Sequence, residues 1–86
     1  MAVRFHPHAV QRMADRGATE HEVLATVESG EQFAAKFGRT GFRRNFHFDE
    51  EWLGRRFATK QVEAYAELET DNITWLVITV IVKYYG

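Results

Sequence analysis

The spacing of the apolar residues changes near residue 30, and this change limits the folds open to the chain. Between Pro7 and Ser29 the apolar residues recur at helical intervals, whereas from Phe33 onward they alternate with polar ones. Intervals of three and four residues place side chains on one face of a helix, and alternation places them on one face of a strand. The sequence therefore predicts helices followed by an antiparallel sheet, the order of a small α+β domain.

Two helices are predicted before the change. Pro7 suits the first turn of a helix that Gly17 stops in the left-handed conformation. Thr19, with Glu22 three residues later, forms a capping box for a second helix, which a similar glycine stop ends at Gly30. The first helix has an apolar arc predicted to face the core and a free polar face; the arc comprises Ala9, Val10, Met13 and Ala14.

The alternating part of the chain predicts a sheet. Residues 33–37 and 42–48 form a hairpin, with a connector over residues 51–54, and residues 62–69 form a strand whose glutamates face solvent. Residues 73–84 are apolar on both faces, which is typical of a strand inside a sheet. Residues 1–5 supply a further short strand. Both helices are expected on one face of an antiparallel sheet of four to five strands.

Composition limits the class of protein. The 86 residues fit one domain over residues 1–86, with 45% hydrophobic residues, a net charge of -1 and no cysteine. We expect a folded cytoplasmic protein with neither disulfides nor thiolate chemistry. No apolar stretch is long enough to predict a leader or a membrane span. A chain this short buries one small core, so a homodimer is an open expectation.

One group of basic residues lies outside the predicted core. His8, Arg12 and Arg16 share the polar face of the first helix. RNA carries its own nucleophile, the 2′-hydroxyl, so cleavage without metal needs a base, an acid and cations around the phosphate. The residues proposed for catalysis are His8, Arg12 and Thr79, and those proposed to bind substrate are Arg16, Arg44, Arg56, Lys60 and Tyr84.

The same residues have simpler interpretations. A polar helix face is commonly just solvated, and Thr79 is a residue that strands favour. Arg44 shares the predicted buried face of its strand, where an arginine needs an acid or a ligand. His6 and His8 would need His47 and further ligands to hold a metal, and His6 also suits the helix N-cap; we expect no metal and no cofactor. Trp52 is either a stacking platform for a base or a cover for the sheet edge.

Both ends of the chain resemble one small prokaryotic family of uncharacterised domains. The resemblance is carried by His8-Ala9, Arg12-Met13, Arg16-Gly17-Ala18-Thr19 and Glu22-Val23, which match its opening H-A-x2-R-M-x2-R-G-[IA]-[TS]-x2-[ED]-V, and by Leu76-Val77-Ile78-Thr79-Val80, which matches its closing V-I-T-V strand. Those domains are similar to the RelE/ParE-like toxins and to the barnase–EndoU–colicin–RelE group of metal-independent ribonucleases. The resemblance implies a RelE-like layout, with helices followed by a curled antiparallel sheet. It also implies that His8, Arg12, Arg16 and Thr79 are the family's helix histidine, its helix arginines and its last-strand hydroxyl.

Three functions are compatible with these patterns. The first is a toxin-type ribonuclease or RNA-binding protein, with RNA and a cognate antitoxin protein as partners. The second is a non-catalytic protein-interaction module, which binds through a sheet edge or through Trp52. The third is a ParE-like inhibitor of a DNA enzyme, which would arrest growth through DNA damage.

Overall fold

A computed structural model describes residues 2–86, which form two α-helices and one five-stranded sheet. Met1, which the sequence assigned to the first strand, lies outside the described residues. The elements in chain order are β1 (Ala2–Phe5), α1 (Pro7–Arg16), α2 (Glu20–Ser29), β2 (Glu31–Ala34), a 3-10 turn (Lys36–Gly38), β3 (Thr40–Trp52), β4 (Arg55–Leu68) and β5 (Thr74–Tyr85).

The sheet has the strand order β1-β5-β4-β3-β2. Strands β2 to β5 pair antiparallel as predicted, and β5 lies inside the sheet between β1 and β4. Strand β1 pairs parallel to β5, so the sheet is mixed and the prediction of a wholly antiparallel sheet is wrong for this pair. The α+β class with two helices on a sheet is confirmed. Alternation specifies which residues share a face, but it contains no information about the direction of a partner strand.

Local signals place the helix ends. The Nδ1 atom of His6 accepts the backbone N–H of His8 at 3.0 Å, so His6 is the N-cap of α1. Gly17 ends α1 in the left-handed conformation, and Thr19 with Glu22 forms the predicted capping box of α2. Gly30 caps α2 in an extended conformation instead of the expected left-handed one. No helix within residues 2–86 is long and apolar enough to cross a membrane.

The hydrophobic core lies between the helices and one face of the sheet. Helix α1 packs on β5 and β1, and α2 packs on β3 and β4. Two residues of the predicted apolar arc, Val10 and Ala14, are exposed, because α1 lies near the sheet edge and only a narrow stripe of it is covered. The buried apolar residues are Ala9, Met13, Ala18, Val23, Val27, Phe42, Val62, Ala64, Ala66, Val77 and Val80.

The long β3–β4 hairpin differs from its prediction. The connector expected over residues 51–54 is a two-residue turn, in which Leu53 and Gly54 have φ values of 51° and 82°. Positive φ at both positions matches the right-handed twist of a hairpin. The first strand of the other hairpin is shorter than predicted, because it ends at Ala34 and residues 36–38 form the 3-10 turn.

Asp71 holds the turn between β4 and β5. Its Oδ2 atom accepts the Thr74 hydroxyl at 2.6 Å, and its Oδ1 atom accepts the N–H groups of Ile73 and Thr74 at 2.9 Å. These hydrogen bonds, the Thr74 hydroxyl first, lower the pKa of Asp71. We expect NMR titration to show the Asp71 carboxyl releasing its proton below the usual aspartate range, and Thr74→Val to raise that pKa.

The pH dependence of stability follows from the direction of this shift. The unfolded chain binds the Asp71 proton more tightly than the folded chain does. The contribution of Asp71 is therefore complete above the unfolded pKa of about 3.9, and it is lost as the pH falls through the lower folded pKa. An Asp71 pKa that is unchanged by Thr74→Val would contradict the role given to the hydroxyl.

Candidate functional site

The three residues expected to form a catalytic centre lie on opposite sides of the sheet. His8 and Arg12 belong to α1, which packs on one face, and Arg12 lies 3.9 Å from Asp15 in a surface ion pair. Thr79 is the register partner of Tyr65, and both side chains line a pocket on the other face. Within residues 2–86 this second face carries no α-helix, and it is called the open face below. The structure thus does not bring His8 and Thr79 together.

Three of the expected substrate-binding residues make hydrogen bonds inside the protein. The Arg16 guanidinium donates to the carbonyl of Val80 at 2.7 Å. The Tyr84 hydroxyl donates to the carbonyl of Arg16 at 2.8 Å. The Lys60 ammonium, in a residue only 4% exposed, donates to the carbonyl of Gly17 and to the carboxylate of Glu22. Arg16, Lys60 and Tyr84 therefore hold the turn between α1 and α2 against the sheet.

Aromatic packing completes this turn. Trp52 stacks on Tyr84 with ring centroids 5.2 Å apart and planes 14° apart, so Trp52 is neither a free platform nor a simple edge cover. Burial, and then the nearby charge of Glu22, raise the pKa of the Tyr84 hydroxyl, which keeps it a hydrogen-bond donor at neutral pH. A Cβ atom at Gly17 would lie 2.7 Å from both the Trp52 ring and the Tyr84 hydroxyl.

We expect Gly17→Ala to lower the free energy of unfolding by about 2–4 kcal/mol, since it adds steric overlap to the strain of alanine at positive φ. Gly54→Ala is the matched control, because Gly54 has almost the same φ, +82° against +81°, with nothing within 4 Å of an added Cβ atom. Its expected cost is about 1 kcal/mol, from backbone strain alone. Urea denaturation of both variants measures the difference, and equal losses would contradict the packing explanation.

Arg44 and Arg56, also expected at the site, are surface residues with local partners. Arg44 shares the helix-bearing face with Phe46, as its register predicted, but it is exposed where burial was expected. Its guanidinium lies 5.1 Å from the centre of the Phe46 ring and donates to the Ser29 hydroxyl at 2.8 Å. Arg56 forms an exposed ion pair with Asp49 at 3.3 Å. Arg44 does not lie on the open face, and Arg56 lies in the part of the β3–β4 hairpin that extends past the end of β5.

A charged cluster on the open face was missed by the sequence analysis. Glu63, expected to face solvent, is only 3% exposed. Its Oε1 atom accepts the Tyr65 hydroxyl at 2.9 Å, and its Oε2 atom lies 3.4 Å from the Lys83 ammonium and 3.8 Å from the Arg43 guanidinium. Arg43 also donates to Glu31 at 3.0 Å. These five residues, Glu31, Arg43, Glu63, Tyr65 and Lys83, are called the Glu63 cluster.

Strand register explains why Glu63 is buried. Arg43 pairs directly with Glu63 across β3 and β4, and Lys83 occupies a neighbouring position on β5. Long side chains on one face of adjacent strands lie close enough to cover a residue between them. Opposite charges at paired positions were a usable signal, but only once the register is known.

The cluster keeps Tyr65 protonated and Arg43 charged. Burial, and then the hydrogen bond to Glu63, raise the pKa of the Tyr65 hydroxyl. The hydrogen bond to Glu31 raises the pKa of the exposed Arg43 guanidinium. The open face therefore presents a protonated phenol and a charged guanidinium beside the side chains of Glu63 and Lys83.

A pocket of about 410 Å³ adjoins the cluster. Tyr65 belongs to both, and the Arg43 guanidinium lies 4.6 Å from the centre of the Phe33 ring, which forms a wall of the pocket. Thr79, the only expected catalytic residue on the open face, is also in this wall. This aromatic pocket is lined by Phe33, Ala34, Ala35, Lys36, Phe37, Arg39, Tyr65, Thr79 and Ile81.

The histidines considered as metal ligands are not grouped. His6 uses its Nδ1 atom to cap α1, and His47 lies on β3. In the part of the chain from Ala2 to Gly86, no three histidine, aspartate or glutamate side chains are placed to hold one metal ion.

No family model, curated protein or solved structure matches this chain.

Proposed function

We propose that this protein is a metal-independent RNA-cleaving domain whose site is the open face of the sheet. The observation that carries the proposal is the nearly buried carboxylate of Glu63, which lies among Arg43, Lys83 and Tyr65 beside the aromatic pocket. This arrangement replaces the His8-centred site expected from the sequence, because α1 lies on the opposite side of the sheet from Thr79.

The cluster supplies the groups that the reaction needs. The RNA 2′-hydroxyl attacks the adjacent phosphorus as its proton passes to Glu63, and the bond to the 5′-oxygen of the next nucleotide breaks. Tyr65 protonates that leaving oxygen, and the products are a 2′,3′-cyclic phosphate and a free 5′-hydroxyl. Arg43 and Lys83 stabilise the extra negative charge on the pentavalent phosphorus. No metal or external reactant is required, because the nucleophile belongs to the substrate.

Burial of these charges favours a functional interpretation over a purely structural one. Removing the Glu63 carboxylate from water is costly, and an apolar residue of similar volume would serve a sheet face at least as well. Grouped ionisable residues beside a pocket are typical of functional sites. The Arg43 and Lys83 side chains are 37% and 50% exposed, so both reach solvent while covering Glu63. When they turn toward a bound phosphate, they uncover the carboxylate.

The direct test is incubation of the purified protein with single-stranded RNA in EDTA. We expect cleavage products that end in a 2′,3′-cyclic phosphate, and no cleavage of the same sequence made with 2′-deoxy sugars. Binding should weaken steeply with salt, because phosphates dominate the affinity. Absence of cleavage across a panel of sequences, or cleavage of the 2′-deoxy strand, would contradict the proposal.

A second candidate function, a protein-interaction module, is favoured by the outer edge of β3. Strand β2 pairs only with residues 40–43 of β3, so within residues 2–86 the edge from Arg44 to Trp52 has no strand beside it. An extended segment of an antitoxin-like protein or of a second copy can add a strand there. Light scattering over a range of concentrations tests the second-copy form, which a constant single-chain mass would contradict.

A further inference from the structure

The aromatic pocket has walls suited to a flat ring. Phe33 and Tyr65 meet edge to face, with centroids 6.0 Å apart and planes 85° apart. Gly41 makes room for this arrangement, because a Cβ atom there would lie 2.3 Å from the Phe33 ring. Phe33 therefore lies across the bare backbone of β3 and presents a fixed apolar wall to the cavity.

Phe37 lines the pocket from the tight turn between β2 and β3. Its φ of 63° and that of Gly38, 71°, belong to this turn, as the positive φ values of Leu53 and Gly54 belong to the turn of the other hairpin, while its side chain is 85% exposed. The turn explains the backbone conformation, but packing in the core does not explain the position of the ring, which buries little apolar surface. The ring is thus available as a stacking surface beside the cavity.

Cations flank the aromatic walls. Lys36 and Arg39 both line the pocket, and the Arg39 guanidinium lies 5.7 Å from the centre of the Phe37 ring. The Arg39 Nε atom is buried and has no hydrogen-bond acceptor among the described residues; its nearest carboxylate oxygen, in Glu67, is 3.6 Å away. Glu67 therefore forms an ion pair with the buried side of the guanidinium, while the side chain as a whole is 32% exposed and has further donors for an incoming anion.

We infer that the aromatic pocket binds one nucleotide. The base lies against Phe37 and Phe33, its edge reaches the Thr79 hydroxyl, and the phosphate is held by Lys36 and Arg39. The volume of about 410 Å³ lies within the range of small-molecule sites and accommodates a single base with its sugar. The inference rests on the proposed function, from which it takes the source of the nucleotide: an unstacked residue of RNA. A free nucleotide has the same chemistry and is the other source that the experiment must distinguish.

The test uses the four 5′-mononucleotides as NMR probes on the full chain, with short single-stranded RNA followed by fluorescence anisotropy. We expect the mononucleotides to shift the amide signals of Phe33, Phe37 and Thr79, and ribose 5-phosphate, which lacks the base, to leave them in place. Phe37→Ala should weaken the binding of the mononucleotides and of the RNA by at least about tenfold, the usual range for loss of one stacking ring.

Leu53→Ala is the matched control. Leu53 is also 85% exposed and has a φ of 51°, but it lies at the tip of the β3–β4 hairpin, outside the pocket lining. The Leu53→Ala substitution should change neither the affinity for mononucleotides nor the affinity for RNA. RNA cleavage by the wild type together with unchanged ligand binding by Phe37→Ala would overturn the pocket assignment and leave the proposed function standing.

Two further outcomes separate the ligand sources. Mononucleotide shifts at the pocket without RNA binding would sustain the nucleotide site, identify free nucleotide as its source and contradict the proposed RNA cleavage. Equal shifts with ribose 5-phosphate would overturn the inference, because the base would then contribute nothing to recognition.

Discussion

Replacing Glu63 with glutamine is expected to slow RNA cleavage by about 10²–10⁴-fold, the usual effect of removing a general base. The amide keeps the size of the carboxylate and its acceptor for the Tyr65 hydroxyl, but it cannot take the proton of the 2′-hydroxyl. The measurement is the single-turnover rate on a saturating RNA, with the free energy of unfolding of the same variant measured in urea to show that it folds.

His8→Ala is the control for this prediction. His8 is exposed on α1, and only its backbone N–H takes part in the His6 cap, so alanine preserves the fold. Its cleavage rate should stay within about threefold of the wild type, well below the usual effect of a lost general base. A folded Glu63→Gln variant that cleaves at the wild-type rate, or loss of cleavage in His8→Ala, would show that the Glu63 cluster does not carry out the reaction.

Lys60→Met is expected to lower the free energy of unfolding by about 2–4 kcal/mol. Methionine keeps most of the apolar stem, but it removes the Lys60 donor from the Gly17 carbonyl and leaves the Glu22 carboxylate with only the Thr19 N–H of the capping box. The Lys60 and Glu22 side chains are 5% and 20% exposed, so water restores only part of the lost interaction. Urea denaturation measures the loss.

Arg56→Met is the comparison for an exposed pair. The side chains of Arg56 and Asp49 are 65% and 60% exposed, so the ion pair between them contributes about 1 kcal/mol or less. A loss in Lys60→Met no larger than that in Arg56→Met would show that Lys60 does not hold the turn between α1 and α2.

The residues that carry the family resemblance have structural tasks in this fold. Arg16 and Gly17 end α1 and receive Tyr84 and Lys60 from the sheet, and Thr19 caps α2. A strongly patterned motif is therefore no guide to the reaction by itself, because the same spacing also suits a turn between two helices that packs on a sheet. Under the proposal, the reacting groups come instead from strands whose sequence looks like ordinary alternation.

Local signals determined much of the fold. Pro7, Gly17 and the Thr19–Glu22 box act within a few residues of themselves, so the ends of α1 and the start of α2 follow from the sequence alone. The change of hydrophobic period likewise predicted a sheet after the helices. These features need no knowledge of distant parts of the chain, since each depends on backbone conformation or on side chains one turn away.

Tertiary structure decided the direction of β1, the burial of Glu63 and the separation of His8 from Thr79. Each depends on which strands pair and in which register, and residues far apart in sequence, such as Arg43, Glu63 and Lys83, meet only after that choice. Alternation states that two residues share a face, but it does not say whether that face receives a helix, a pocket or a covering pair of cations. The candidate site therefore became visible only in the folded chain, because its charges come from four strands, β2 to β5, that meet only through strand pairing.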